Sequence, residues 1–235
     1  MILDNFKKPK TDNQWLLKFF EFINGLLGLL KNKYFYIGLA AVIGGKQLNY
    51  YSQTCLHQYM QEGKTLPVLS DLILDNLPYW DIDYLYDIFM VVAFLFFIGN
   101  IIHKNEYNKV PYFLIVIGIF QLVRGVFIVL TPFGHPSLFD GTDSPFNAFS
   151  KYELGVYPSG HTGMAYMYYL LTGSKNYRMI LLFCVLIIIA TLFLARGHYS
   201  IDILSGLFFA YAIKAFGDRY LQKYFYKGVG EQKLG

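Results

Sequence analysis

The sequence predicts an all-α polytopic membrane protein: six transmembrane helices preceded by an amphipathic helix in the membrane interface. Three observations predict it. First, 55% of the 235 residues are apolar and 19% are Phe, Tyr or Trp, while only 15% are charged, against about 25% in ordinary globular chains. Second, apolar runs long enough to match a hydrocarbon core of about 30 Å recur along the chain. Third, the basic residues gather in alternate connections. This composition excludes a disordered or collagen-like chain and argues against a soluble enzyme. The two cysteines, Cys55 and Cys184, form neither a disulfide framework nor a zinc spacing.

The elements follow in order. Over 14–30 the apolar run is broken at Gln14, Lys18, Glu21, Gly25 and Gly28, a 4-3-4-3 spacing that puts the breaks on one helix face. Lys31, Asn32 and Lys33 follow where a signal peptide would carry a small-residue cleavage site. The reading is an amphipathic helix lying in the interface, with a short first span as its rival. Six spans come next: 34–53, weakened by Lys46, Gln47 and Asn49; 84–102; 111–131, which carries Gln121 and Arg124; the short 161–173; 179–195; and 201–217. At about 1.5 Å per residue the fourth cannot cross alone. Its start is therefore expected inside the protein beside a cavity, where non-helical backbone is tolerated. The domain plan is an interfacial cytoplasmic segment at 1–33, one catalytic domain at 34–217 and a basic cytoplasmic tail at 218–235.

Fifteen of the 20 Lys and Arg residues fall on one side: those before residue 34, Lys104, Lys109, Lys175, Arg178, and those from Lys214 onward. The other side keeps Lys46, Lys64, Arg124, Lys151 and Arg196 and collects Glu62, Asp71, Asp75, Asp81, Asp83, Asp140, Asp143 and Glu153. The positive-inside rule then places both termini in the cytoplasm.

Three polar groups stand where a membrane protein holds them at a cost. His161 opens the fourth span in Pro158-Ser159-Gly160-His161. His198 precedes the sixth, with Asp202 one helical turn later. Arg124 lies deep in the third. An i, i+4 spacing puts His198 and Asp202 on one face, so the carboxylate can hold a ring N–H and fix the tautomer. Span parity collects all four groups at the non-cytoplasmic end, and ionisable groups inside spans are functional hypotheses by default. Two plainer readings stand beside this one. Pro-Ser-Gly is an ordinary helix start with a hydroxyl cap, and two His with one Asp could form a metal facial triad.

Pro158-Ser159-Gly160-His161 together with His198-x-x-x-Asp202 resembles the second and third motifs of the PAP2 superfamily, the type-2 phosphatidic acid phosphatase-like enzymes. His198-Tyr199-Ser200-Ile201-Asp202-Ile203 is similar to the last motif of the sphingomyelin synthase branch. Arg124 with Thr131 is similar to that branch's arginine motif, and 66–78 (Leu66-Pro67 followed by Asp71, Asp75, Asn76 and Pro78) to its first outer-loop motif. The phosphatase motif Lys-x6-Arg-Pro is missing: Gly118 stands at its lysine, Gly125 follows Arg124, and Leu192 replaces the arginine ahead of the last histidine, with Arg196 nearby. The chain thus mixes features of two branches.

The resemblance implies an integral-membrane lipid phosphatase or phosphoesterase acting on a lipid phosphate or phospholipid from the outer leaflet, facing the periplasm, lumen or exterior. His198, oriented by Asp202, would attack phosphorus to give a phosphohistidine. His161 would protonate the leaving alkoxide and then activate the acceptor. Arg124 or Arg196 would neutralise the phosphoryl charge, and the backbone N–H groups of Ser159, Gly160 and His161 would cradle it. No cofactor, no metal and no nucleic acid is expected. Two alternatives are kept: head-group transfer to a ceramide or diacylglycerol, as in sphingomyelin synthase, and a non-catalytic lipid-binding or transport protein. A transporter would show paired broken spans in corresponding halves, whereas here the polar groups converge on one face.

Overall fold

The computed structural model describes residues 13–136 and 154–226, and among them every regular element is helical. Part of the N-terminal segment (1–12), the outer charges Lys151, Asp140, Asp143 and Glu153, and the end of the basic tail (227–235) lie outside the described residues. The elements are α1 (Gln14–Lys31), α2 (Lys33–Gln61), a 3-10 turn (Leu74–Asn76), α3 (Asp83–His103), a second 3-10 turn (Glu106–Lys109), α4 (Val110–Leu130), α5 (Gly160–Leu171), α6 (Lys175–Leu194) and α7 (Ser200–Phe216). The last continues through a π-helical turn (Gly217–Leu221) into α8 (Gln222–Phe225).

Four stretches are long and apolar enough to cross a membrane: Asp83–His103, Glu106–Leu130, Lys175–Leu194 and Ser200–Phe225. Helices α1 and α2 meet at 79° and would make a fifth if counted as one bent unit. Helix α5 has 12 residues, a rise of about 18 Å, and is too short to span. It is instead the most enclosed helix, packed against α3, α4, α6 and α7, with Ser159, just ahead of it, and Thr162 fully buried. Two glycines let it sit there. A Cβ on Gly163 would lie 2.2 Å from the Phe120 ring, and one on Gly206 of α7 would lie 2.8 Å from the Ser159 carbonyl.

Helix α2 runs well past the predicted end at 53, and Asn49, Ser52 and Gln53 on the way face protein. It packs along α4 through glycines seven residues apart on both helices. A Cβ on Gly38, Gly45, Gly118 or Gly125 would meet the partner helix at 2.6–2.7 Å. Such small-residue contacts bring backbones close enough for dispersion and hydrogen bonding to hold helices together in lipid. In that seam Asn49 Nδ2 donates to the Gly45 and Gln121 carbonyls (2.7 and 2.8 Å) and Ser52 Oγ donates to Gly125 O (2.7 Å). Of the residues that weaken the first span in sequence, Asn49 is thus satisfied inside the bundle, while Lys46 and Gln47 are exposed.

Two further differences concern the ends. The predicted tail from 218 stays helical through Phe225, which is buried against Tyr34 with ring centroids 5.1 Å apart. The polar stripe of α1 faces the α3–α4 connection: Asn105 Nδ2 donates to Glu21 (3.3 Å), and Gly25 lies against the Tyr107 ring. Trp15, Phe19, Leu26 and Leu30 form its exposed side.

Candidate active site

The N-terminal ends of α3, α5 and α7 converge at one end of the bundle. The first turns of α5 and α7 carry His161 and Asp202, Asp87 lies one turn into α3, and the turn between α6 and α7 supplies His198. Aligned peptide dipoles make helix N-termini electropositive, and three of them at one place favour an anion.

His198 and Asp202 are almost completely enclosed, with side chains 7% and 0% exposed. Asp202 Oδ2 accepts the Tyr199 backbone N–H at 2.9 Å and lies 3.4 Å from His198 Nδ1. The second is a long contact. The carboxylate is therefore fixed mainly by the backbone of its own first turn, and the far ring nitrogen, Nε2, points away from it. Asp202 Oδ1 is buried with no hydrogen-bond partner among the described residues. Burial lowers the His198 pKa from its ordinary value, partly opposed by Asp202, so the ring keeps its nucleophilic lone pair into mildly acidic conditions.

His161 has a carboxylate of its own, which the motifs did not reveal. Its Nε2 lies 2.9 Å from Asp87 Oδ1, with side chains 32% and 22% exposed, and Tyr86 packs against the ring at 4.9 Å. A signal existed in the sequence: Asp87 is an ionisable residue one turn inside a strongly apolar span. The His161 and His198 ring centroids are 6.1 Å apart, so both imidazoles can reach atoms of one phosphate. His135 was missed as well. It is held by the Gly197 backbone close to His198, and burial first, then the neighbouring imidazole, push its pKa down to about 4.

The two arginines, both offered to the phosphoryl group by the sequence reading, differ in how far the protein engages them. Arg124 spends its donors on the protein: Nε to Pro158 O (3.1 Å), Nη1 to Asn49 Oδ1 (2.7 Å) and Nη2 to Gly155 O (3.0 Å). It clamps the 155–158 strap to the α2–α4 seam, and with Gly160 backed against it it positions the start of α5. Arg196 is less committed. Its Nη2 donates to Leu74 O at a long 3.4 Å, and its Nε is buried without a hydrogen-bond partner among the described residues. It sits at φ 52° as the left-handed residue closing α6, where Arg196 N–H donates to Phe193 O and Gly197 N–H to Leu192 O. Glycine usually fills that position. Ser159 caps α5 through its hydroxyl, which accepts the Thr162 N–H (3.3 Å), while its own N–H donates to Asp202 O. That bond takes Ser159 N–H out of the expected cradle and ties α5 to α7.

The outer loops fasten the His198 turn. Asp71 accepts from Ser200 N–H (2.6 Å), Ser200 Oγ (2.7 Å) and the N–H groups of Ile73 and Leu74. Burial pushes its carboxyl up, but these hydrogen bonds outweigh it and hold the pKa below the usual carboxylate value. Tyr199 OH donates to Gly134 O and accepts from Leu69 N–H, both at 3.0 Å. The positions where phosphatases carry cations are apolar packing sites: Leu192 is fully buried, and Gly118 lies against Ala41. Among the described residues no three His, Cys, Asp or Glu side chains come together as a metal site.

Residues 158–217 of the 235 match the family model described as PAP2 superfamily C-terminal, so that part of the chain is similar to the PAP2 superfamily. That stretch contains His161, Arg196, His198 and Asp202. No curated protein and no solved structure matches the chain significantly. This family match and the membrane-length helices together point to phosphatase or phosphoesterase chemistry in a membrane protein.

Proposed function

We propose that the protein is a multi-pass membrane phosphoesterase that hydrolyses a lipid phosphate or phospholipid through a phosphohistidine on His198. The observation that carries this reading is the pair of imidazoles 6.1 Å apart, each beside its own carboxylate, at the meeting point of three helix N-termini. His198 Nε2 attacks phosphorus and the bond to the lipid oxygen breaks. His161 gives that oxygen a proton. It then takes one from water, which attacks the phosphohistidine and frees His198. Arg196, with a donor to spare, offers its guanidinium to the phosphoryl oxygens, and Arg124 holds the strap that positions His161. In this reading six segments cross or enter the membrane, both termini are cytoplasmic, and the histidines face the periplasm, lumen or exterior. Cysteine-accessibility labelling tests it: reaction at positions 104–109 only from the non-cytoplasmic side would overturn the topology.

A second reading, head-group transfer to a ceramide or diacylglycerol as in sphingomyelin synthase, is favoured by the apolar packing at Leu192 and Gly118, where phosphatases place cations. Purified protein incubated with defined phospholipids, with and without ceramide, separates the two. Released phosphate or phospho-head group marks the hydrolase; a new phospholipid made only with acceptor marks the transferase. No turnover of any lipid would favour a lipid-binding protein.

A further inference from the structure

We propose that the elbow between α1 and α2 is a second binding site, separate from the histidines, for the phosphate head group of an anionic phospholipid. A cavity of about 640 Å³ lies there, and its polar lining comes from Asn24, Lys31, Asn32, Lys33, Asn105 and Asn108. This set is rich in donors and has net positive charge. The acids nearby are engaged: Glu21 accepts from Asn105, and Glu106 pairs with Lys109 and accepts from Asn100. Basic pockets between helices at the basic side of a membrane protein suit lipid phosphates.

Two features mark the space as built for an occupant. Along the small-residue face of α1, Gly25 is covered by the Tyr107 ring, but a Cβ on Gly28, one turn on, would meet nothing within 4 Å. Gly28 lines the cavity and faces open space. Tyr107, which lines it, is only 8% exposed, and its hydroxyl is buried with no hydrogen-bond partner among the described residues. A buried hydroxyl without a partner costs about 1–3 kcal/mol, a cost that an acceptor reaching it would remove. The flanks choose lipid over a soluble phosphate: Leu26 and Leu30 of α1 and Tyr36 and Ile37 of α2 are exposed beside the polar lining, as a path for acyl chains. The site is remote from the chemistry, since Asn108 precedes α4 and Arg124 lies a further 14 residues along it, a rise of about 21 Å.

The test is native mass spectrometry of the full chain carrying His198→Ala, so that nothing turns over and failure of the catalytic reading leaves the result intact. The probes are dioleoyl phosphatidylglycerol and dioleoyl phosphatidylcholine, with soluble glycerol 3-phosphate as competitor. Gly28→Leu, which fills the cavity, and the double change Lys31→Gln, Lys33→Gln are each expected to weaken phosphatidylglycerol binding at least tenfold. Phosphatidylcholine binding should stay within twofold, and millimolar glycerol 3-phosphate should not displace the lipid. Unchanged phosphatidylglycerol binding in both variants, or equal loss of phosphatidylcholine, overturns the proposal. Displacement by glycerol 3-phosphate overturns the lipid assignment in favour of a free phosphate ester. If Gly28→Leu does not fold, the lysine pair decides alone.

Discussion

The two histidine–carboxylate pairs are built in opposite ways. His198 and Asp202 come from one stretch of chain, lie four residues apart and are all but sealed from solvent, yet their contact is a loose 3.4 Å. His161 and Asp87 come from different helices, 74 residues apart, are about a third and a fifth exposed, and are held at 2.9 Å. The difference matches the two chemical tasks proposed for them. A nucleophile works best neutral and desolvated, with its ring orientation fixed by surroundings that need not move. An acid–base group must exchange its proton with substrate and water in every cycle, and a partly exposed pair at short range can do so.

The comparison breaks most visibly at His198. His198→Ala should abolish turnover of every substrate and leave no acid-labile phosphoprotein after rapid quench of the enzyme with radiolabelled lipid phosphate. Residual phosphoprotein in that variant would move the nucleophile elsewhere. His161→Ala should lose about 10²–10⁴-fold on a lipid phosphate, the usual contribution of general acid–base catalysis. It should keep appreciable activity on p-nitrophenyl phosphate, whose leaving group hardly needs a proton. Asp87→Asn should show the same selectivity at smaller size. If instead His198→Ala is the variant rescued by the good leaving group, the two pairs exchange roles.

Arg196→Gly separates position from charge. Loss of the guanidinium should cost about 10–100-fold in kcat/KM, the worth of one or two charge-assisted hydrogen bonds. The left-handed backbone position, meanwhile, would pass to the residue that prefers it and gain about 1 kcal/mol of stability. A variant both less active and harder to unfold is the expected result; a loss of stability would show that Arg196 is structural, like Arg124.

The pH profile sharpens the contrast further. His198 must be neutral to attack, and burial lowers its pKa despite Asp202. The acid limb of kcat/KM should therefore lie below the ordinary histidine value of about 6.5. Asp202→Asn removes a group that favours the imidazolium, so the limb should move lower still while the plateau rate falls. An acid limb above 6.5 in the parent, or an upward move in the variant, contradicts this account.

What could be read from the sequence follows the same division. His198–Asp202 was legible because an i, i+4 spacing is a statement about one helix, and the buried start of α5 was legible because 12 or 13 residues cannot cross a bilayer. Asp87 was not assigned, since nothing local says which residue of another helix faces His161. Arg124 was offered to the phosphate beside Arg196 because a lone arginine in an apolar span looks unpaired. Besides Asn49 its partners are carbonyls of Gly155 and Pro158, and backbone acceptors leave no trace in residue identity. The true length of α2 was hidden for a related reason: Asn49, Ser52 and Gln53 look like the end of a span until α4 is there to receive them.

The smallest effect belongs to Asp71, which fastens the outer loop to one pair and not to the other. Its carboxylate accepts from Ser200 N–H and Oγ at the start of α7 and from its own 3-10 turn, so Asp71→Ala removes a cap at two helix starts, worth about 1 kcal/mol. The kinetic consequence should fall on His198 alone. A loosened first turn of α7 should slow lipid and aryl phosphates by the same few-fold factor, leaving unchanged the lipid-to-aryl ratio that His161→Ala alters. The stability consequence has a defined sign. Because the folded state holds the Asp71 pKa below its unfolded value, its contribution is present above the unfolded value of about 3.9 and is lost as pH falls through the folded one. Between pH 5 and 3 the parent should lose thermal stability more steeply than Asp71→Asn, which has no carboxylate to protonate. Parallel slopes, or a changed lipid-to-aryl ratio in Asp71→Ala, would mean that the outer loop serves both histidines and that the two pairs are less independent than their geometry implies.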